Sequence, residues 1–186
     1  MNPFYFGTPN RRLFGVQIAA RSGGRRGAVR AVLLCPPWGQ EYLRAHRSMR
    51  RLAELLAAAG CEALRFDYYG TGASPGDMPD ATVPGWELDI EAAIDELKDA
   101  SGARKVGIVG LRLGGTLAAR VAARRARDIA ALVLWDPVIS GAEYLDELFL
   151  SAHSREHAAE RPRQRSIEEG GGHELLGFRL PAAFAS

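Results

Sequence analysis

Lys105 to Ala119 read K-V-G-I-V-G-L-R-L-G-G-T-L-A-A, and this stretch decides the fold. It begins with a run rich in valine and isoleucine, which predicts a strand buried on both faces. It ends with an alanine- and leucine-rich run that predicts a helix. The residues between the two runs, Gly110 to Gly115, contain glycine at positions 110, 114 and 115. The stretch therefore predicts a strand that passes through a tight turn directly into a helix.

The spacing of small residues in this turn matches G-x-X-x-G, the pattern of a nucleophile elbow. In such an elbow the glycines let the strand and the helix approach closely, so that the central side chain projects at the carboxyl edge of the sheet. The central residue of a working elbow is a serine, whereas here it is Arg112. The sequence thus predicts the frame of an active site without its usual nucleophile.

The composition is that of an ordinary globular protein of about one domain's length. The 186 residues are 47% hydrophobic and 25% charged, and a chain of this size buries on the order of two-thirds of its unfolded surface. A formal net charge of +2 and the lack of a basic stripe with interleaved aromatic residues argue against a nucleic-acid partner. No apolar run reaches the length of about 18 residues that a membrane span needs, and the amino terminus does not resemble a signal peptide. We expect a cytoplasmic protein without a membrane partner.

Apolar runs and helical stripes alternate along the chain. The predicted strands are Leu13 to Ala19 (at a sheet edge), Ala31 to Cys35, Glu62 to Asp67, the strand before the elbow, and Ile129 to Trp135. The predicted helices are Arg44 to Ala59, closed by Gly60, then Trp86 to Ala100, and the helix after the elbow. Their apolar stripes contain Met49, Leu52, Leu55 and Leu56 in the first helix and Ile90, Ala93, Ile94 and Leu97 in the second. This alternation predicts an α/β fold with a mainly parallel sheet, helices on both faces, and functional loops at the carboxyl ends of the strands.

The character of the chain changes after residue 139. Tyr144 to Ser151 predicts one helix, Arg155 to Gly172 is polar and arginine-rich, and Leu175 to Ala185 is apolar again. We therefore divide the chain into a core, residues 1–139, and a cap- or lid-like segment, residues 140–186, which is interrupted before the sheet resumes.

Four stretches, each at the end of a predicted strand, resemble the α/β-hydrolase pattern in the same order. They are C-P-P-W-G-Q-E (35–41), D-Y-Y-G-T-G-A-S (67–74), G-L-R-L-G-G (110–115) and L-W-D-P-V (134–138). The likeness is closest to bacterial esterases and serine-aminopeptidase-like hydrolases, among them exosortase-associated hydrolases with G-L-R-L-G at the elbow. It spans Leu13 to Leu150. The resemblance implies an α/β-hydrolase sheet with the start of a cap, incomplete at its carboxyl end, and hydrolysis of an ester, acyl or peptide bond.

The resemblance also implies roles for individual residues. The nucleophile position falls on Arg112, and the oxyanion hole would use the backbone N–H of Leu113 and a second N–H from the Trp38–Gly39 loop. Asp136, after the strand that follows the elbow helix, falls on an alternative position for the catalytic acid. No histidine follows at a comparable strand end. The chain therefore departs from the family at the nucleophile and at the base.

Arg112 leaves two interpretations open. A guanidinium stays protonated at neutral pH and serves neither as nucleophile nor as base. It could clamp an anion, because a helix N-terminus already favours negative charge. Alternatively, Arg112 pairs with Asp136 or Glu41 and plugs a dead pocket.

Other serines and a cysteine are weaker candidates for a nucleophile. We expect Ser74 to have a structural role in its turn, and Cys35 to be a buried structural thiol. Ser48 and Ser140 have no base nearby in the sequence.

The histidines predict no metal site. His46, close to the oxyanion loop, is expected to line the pocket with Glu41. His153 and His157 have i, i+4 spacing, which suits a metal only where a third ligand converges. His173 follows Asp136 in acid-then-base order but lies in a glycine-rich stretch.

Two functions from different classes remain. The first is an ester, acyl or peptide hydrolase whose elbow serine is replaced by Arg112. The second is a catalytically inactive protein that binds an anionic small molecule through Arg112 and the oxyanion-site amides. A dinucleotide site is disfavoured because the glycine turn follows the strand of Asp67 instead of preceding it. We expect no cofactor, and self-association is left open.

Overall fold

The computed structural model describes residues 1–21, 30–77, 81–156, 174–175 and 178–179, with side chains described up to residue 150. The elements are β1 (Asn2–Thr8), β2 (Arg11–Ile18), β3 (Arg30–Cys35), α1 (Gly39–Ala58), β4 (Cys61–Phe66), α2 (Val83–Ser101), β5 (Val106–Leu111), α3 (Leu113–Arg124), β6 (Ile129–Trp135), α4 (Gly141–Glu156), β7 (Glu174–Leu175) and β8 (Phe178–Arg179). Six strands form one sheet in the order β1-β2-β4-β3-β5-β6, and β7 pairs with β8 separately. Strands β4, β3, β5 and β6 are parallel to one another, whereas β2 pairs antiparallel with both β4 and β1. The predicted α/β fold with a mainly parallel sheet is confirmed.

The first strand of the sheet, β1, was not predicted from the sequence. β1 pairs with β2 from Asn2 opposite Gln17 to Thr8 opposite Arg11, so β2 does not form the edge, and that prediction is wrong. The signal was the alternation of aromatic residues along β1. Phe6 is buried in the main core, whereas Tyr5, on the other face, packs edge-on against the Phe14 ring at 5.5 Å.

Helix α1 begins earlier than its apolar stripe predicted. It starts at Gly39, so most of the predicted loop from Trp38 to Glu41 is helical, and Glu41 lies in the first turn. A carboxylate there is favoured by the partial positive charge of the helix N-terminus. Gly60 follows the helix with φ of +80°, as predicted. Leu55 is exposed, contrary to the predicted stripe, and Met49, Ala53 and Ala57 supply the buried contacts.

Two apolar clusters lie on opposite faces of the sheet. Adjacent residues of β3 show the division, because Leu33 belongs to one cluster and Leu34 to the other. The first cluster includes the predicted stripe of α2, whose residues Ile90, Ala93, Ile94 and Leu97 are all buried. The second lies under α1. The predicted placement of helices on both faces is therefore confirmed.

The start of the predicted cap segment packs on the larger cluster. Tyr144 and Leu148 of α4 are buried in it. Much of residues 140–186 lies outside the described residues, and the division of the chain at residue 139 stays a prediction. No helix in the described ranges has the length and hydropathy needed to cross a membrane.

The turn between β5 and α3 is so tight that it excludes side chains. A Cβ on Gly110 would lie 2.5 Å from the Cα of Gly115. A Cβ on Gly114 would collide with the carbonyl oxygens of Cys35 and Pro36. The first turn of α3 therefore presses directly on the backbone at the carboxyl end of β3.

This contact makes the substitution Gly114→Ala a test of the fold. We expect it to lower the free energy of unfolding by more than about 2 kcal/mol, because the backbone of residues 35–36 has to move. Helix propensity alone predicts the opposite sign, since alanine is the better helix former by about 1 kcal/mol. Urea unfolding measures the difference.

The matched control is Gly141→Ala, at the first residue of α4, where an added Cβ has no atom within 4 Å. We expect it to change stability by less than about 0.5 kcal/mol. Equal stability of the Gly114→Ala protein and the unmodified protein would contradict the close approach of α3 to β3.

Candidate active site

Arg112 occupies the centre of the elbow, at the carboxyl edge of the sheet. Its backbone has φ 51° and ψ −124°, a strained combination for a residue with a Cβ, which costs on the order of 1–3 kcal/mol. Its N–H donates to the carbonyl oxygen of Trp135 at 3.0 Å, and its carbonyl oxygen accepts from the N–H of Gly115 at 2.9 Å. The surrounding backbone therefore fixes the elbow conformation that the glycine spacing predicted.

Three carboxylates surround the guanidinium of Arg112. Its Nε donates to Glu41 Oε1 at 2.7 Å, its Nη1 donates to Asp136 Oδ2 at 3.3 Å, and its Nη2 donates to Glu147. These acids come from α1, from the turn after β6, and from α4. The guanidinium also lies over the Tyr144 ring, with its Cζ atom 5.4 Å from the ring centroid. One positive and three negative formal charges leave this group with a net charge of −2.

Glu41 is the member of the group with a second partner. Its Oε2 accepts a hydrogen bond from the Tyr144 hydroxyl at 2.8 Å, so each of its oxygens has a donor. Burial, together with the charge of Glu41, raises the pKa of Tyr144, and this hydroxyl remains a donor at neutral pH. Glu41 thus joins α1 to α4 through Tyr144 and to the elbow through Arg112.

The charge state of Arg112 is fixed by its surroundings. Burial alone lowers the pKa of the guanidinium, but its hydrogen bonds to Glu41 and Glu147 outweigh that effect, and the pKa lies above its ordinary value. The side chain therefore stays a cation and cannot take a proton from water or attack a carbonyl carbon.

The three ion pairs differ in their exposure to water. The side chain of Glu41 is 23% exposed, whereas those of Asp136 and Glu147 are 71% and 60% exposed. Solvent-exposed ion pairs contribute about 0–1 kcal/mol each. Glu41 is therefore the anchor of Arg112, and the other two acids are weakly held. Asp136, expected in the role of a catalytic acid, contacts Arg112 and hydrogen-bonds to no histidine within the described part of the chain.

The backbone groups expected to form an oxyanion hole lie at the same edge. Gly39 begins α1 with φ of +63°, and Trp38 before it is buried, with its ring centroid 6.5 Å from that of Trp86. Leu113 begins α3, whose first turn presses on residues 35–36. The fold thus brings the loop after β3 next to the elbow, and the role of these N–H groups stays a prediction.

His46 lines a cavity that does not include Arg112. Its ring packs on Tyr42 with centroids 5.9 Å apart, and both residues face a space of about 270 Å³ beside Asp67. Glu41 and His46, expected to share a pocket, are therefore on different sides of α1. The side chain of His153, and His157 and His173 altogether, lie outside the described residues.

The candidate nucleophiles Ser74, Ser140 and Cys35 are hydrogen-bonded to the backbone or buried. The Ser74 hydroxyl donates to the carbonyl oxygen of Asp67 at 2.6 Å and accepts from the N–H of Phe14 at 2.8 Å. Ser140 lies just before α4, and its hydroxyl accepts from the N–H of Glu143 at 3.3 Å. Complete burial raises the pKa of the Cys35 thiol, which disfavours the thiolate. Across the described ranges, no three His, Cys, Asp or Glu side chains converge as metal ligands would.

The sequence analysis missed two members of the site, Tyr144 and Glu147. Both lie on α4, and their i, i+3 spacing places them on one face of the helix. The helix itself was predicted from residue 144 onward. What local patterns did not reveal was that this face meets Arg112, which is 35 residues from Glu147 in sequence.

Comparison with known proteins assigns the chain to a family. The family model described as serine aminopeptidase, S33 (Hydrolase_4), matches residues 29–176. The human mitochondrial palmitoyl-protein thioesterase ABHD10 is 33% identical over 82 residues, which are 44% of this chain and 26% of that protein. Lipase LipV of Mycobacterium tuberculosis is 35% identical over 96 residues, 51% of this chain and 32% of that protein. The matched segments thus span about a quarter to a third of these relatives.

Among solved structures, Est1E from Butyrivibrio proteoclasticus with bound ferulic acid superposes with a TM-score of 0.67 and 18% identity. The match covers 98% of this chain and 68% of Est1E. At that identity the likeness concerns the fold alone, and it agrees with the strand order, the elbow and the family match. The chain belongs to the serine aminopeptidase S33 family of the α/β-hydrolase superfamily.

Proposed function

We propose that this chain is an α/β-hydrolase-fold binding protein, without serine-type catalysis at the elbow, that takes a small anionic ligand on Arg112. One observation carries the proposal: the nucleophile position holds a permanent cation whose Nε is anchored to Glu41 at 2.7 Å. Family membership supports a pocket at this edge of the sheet, while the residue in its centre supports binding in place of nucleophilic attack.

The ligand must exchange with carboxylates already present. Nη1 and Nη2 of Arg112 are occupied by Asp136 and Glu147, and the group as a whole is negative. Both acids are largely exposed, so they can rotate into water at little cost when another carboxylate arrives. Glu41 keeps the guanidinium in place through Nε, and the two Nη groups form a fork that suits a bidentate carboxylate. The N–H groups of Leu113 and the Trp38–Gly39 loop lie at the same edge.

The competing function is hydrolysis of an acyl compound, as the names of the thioesterase and lipase relatives suggest. It is favoured by the strained backbone of the elbow, which the chain retains although the serine is absent. It requires a nucleophile and a base that the described residues do not bring together at Arg112. The expected cytoplasmic location and the absence of nucleic-acid, membrane and cofactor partners stay predictions.

If a ligand carboxylate replaces Glu147 on Arg112, then Glu147→Gln tests the binding function. Removing this competitor should tighten the binding of acetate by up to about fivefold, because an exposed ion pair contributes up to about 1 kcal/mol. Arg112→Ala should abolish the binding. Thermal unfolding in acetate against chloride of equal ionic strength measures both effects.

The matched control for that test is Glu143→Gln, which makes the same charge change on an exposed position of α4 and involves no side-chain partner of Arg112. It should leave acetate binding unchanged. Equal stabilisation of the unmodified protein and the Arg112→Ala protein by acetate would contradict binding at the elbow.

Hydrolysis of p-nitrophenyl acetate separates the two functions. The proposal predicts that the unmodified protein, Arg112→Ala and Arg112→Ser share one low rate, because the described residues bring no base to this position to activate a hydroxyl. A rate in Arg112→Ser about tenfold or more above that of Arg112→Ala would favour the hydrolase function. Turnover by the unmodified protein that Arg112→Ser loses would show that Arg112 itself acts in catalysis.

A further inference from the structure

We propose that the cavity under the first half of α1, which we call the Arg65 cavity, is a second binding site, separate from Arg112, for a small monocarboxylate with an apolar body. It is lined by β2, the ends of β3 and β4, α1 and the loop after β4, and it measures about 270 Å³. Its charged and polar lining residues are Tyr42, His46, Arg65 and Asp67.

Arg65 places a cation on an apolar face of the sheet. It lies in β4 between Val16 of β2 and Leu34 of β3. Alternation along the strand places it on the same face as Ala63, which is buried in the cluster under α1. A guanidinium at such a position is ordinarily paired with a carboxylate, because removing a charge from water is costly.

No such partner is present among the described residues. The side chain of Arg65 makes no ion pair or hydrogen bond with them, although the charges of Asp67 and Glu54 favour its charged form, and its Nε is shielded from solvent without an acceptor. Burial lowers the pKa of this side chain, although it remains a cation. Arg112 shows the contrast, because three carboxylates surround its guanidinium. An anion in the cavity would supply the acceptor that Nε lacks.

The neighbouring charges set the charge of the ligand. Asp67 is the acid that faces the cavity, and its two oxygens accept from the Tyr42 hydroxyl at 2.7 Å and from the N–H of Ala73 at 2.9 Å. On α1, Arg50 pairs with Glu54 at 3.1 Å, and His46 lines the cavity. Each carboxylate oxygen of Asp67 thus already accepts a hydrogen bond. The negative charge of Asp67 also repels a second negative charge nearby. A monoanion is therefore favoured over a dianion.

The remaining walls set the shape and polarity of the ligand. They are formed by Phe14, Pro36, Pro37, Met49 and Phe66, which are apolar. The volume of about 270 Å³ is slightly below the usual range for small-molecule sites, about 300–1,000 Å³. A carboxylate on a single ring or a short chain would therefore place its charge on Arg65 and its body against these side chains.

Calorimetric titration with benzoate tests the proposal directly. We expect benzoate to bind with a dissociation constant below about 10 mM, and its neutral isostere benzamide and the dianion phenyl phosphate to bind at least about tenfold more weakly. Arg65→Gln should weaken benzoate binding by at least about tenfold. The control Arg50→Gln, which removes a neighbouring cation that already has a partner, should change it less than about twofold.

Two further variants distinguish binding in the Arg65 cavity from binding at the elbow and from a loss of folding. Ala45 lines the cavity from α1 and is partly buried. Ala45→Phe keeps Arg65 and puts a ring into the cavity, so in the Arg112→Ala background it should abolish benzoate binding in a folded protein even if Arg65→Gln is unstable. Arg112→Ala should leave benzoate binding at this cavity intact, so that failure of the proposed elbow function does not affect the result. Equal binding of benzoate and benzamide, retained binding in Ala45→Phe combined with Arg112→Ala, or no binding by the unmodified protein would each overturn the proposal.

Discussion

The close contact between the first turn of α3 and the end of β3 is the constraint on which the site depends. Because Gly114 has no side chain, the backbone of the elbow lies against residues 35–36, and because Gly110 has none, the strand lies against the first turn of α3. That packing forces Arg112 into its strained conformation and directs its side chain to the carboxyl edge of the sheet. It also places the loop that begins α1 beside the start of α3. The position of the site therefore follows from backbone packing and not from the side chain at its centre.

The ion pairs of Arg112 then connect elements that are distant in sequence. Glu41 on α1 and Glu147 on α4 meet at one guanidinium, and Tyr144 closes the group by donating to Glu41. Each pair with an exposed acid is weak, and the pair with the shielded Glu41 defines the geometry. Arg65 shows what happens to a cation in the same sheet without such acids. Its Nε has no acceptor among the described residues, and our proposal is that a ligand supplies one.

The sequence predicted the parts of the structure that local periodicity determines. The strands β3 to β6, the buried stripe of α2 and the elbow follow from apolar runs and glycine spacing that span only a few residues. The start of α1 was missed because Trp38 offers no side-chain cap and Gly39 is a poor helix former. Of the carboxylates, Glu41 and Asp136 were expected near Arg112 from their positions after strands. Glu147 and Tyr144 could not be predicted, because which face of α4 meets the elbow depends on tertiary packing.

This chain keeps the strained backbone of the elbow but not the serine, two features that usually occur together. In a hydrolase, the strain presents a nucleophile, and the same geometry provides backbone N–H groups for the oxyanion. In this chain the glycines preserve the strain whatever side chain occupies position 112, because the clashes they avoid involve backbone atoms. The geometry is thus compatible with any residue that tolerates the backbone, and the chemistry follows from that residue and its neighbours. Here the neighbours are acids, and the residue that offsets their negative charge is a cation.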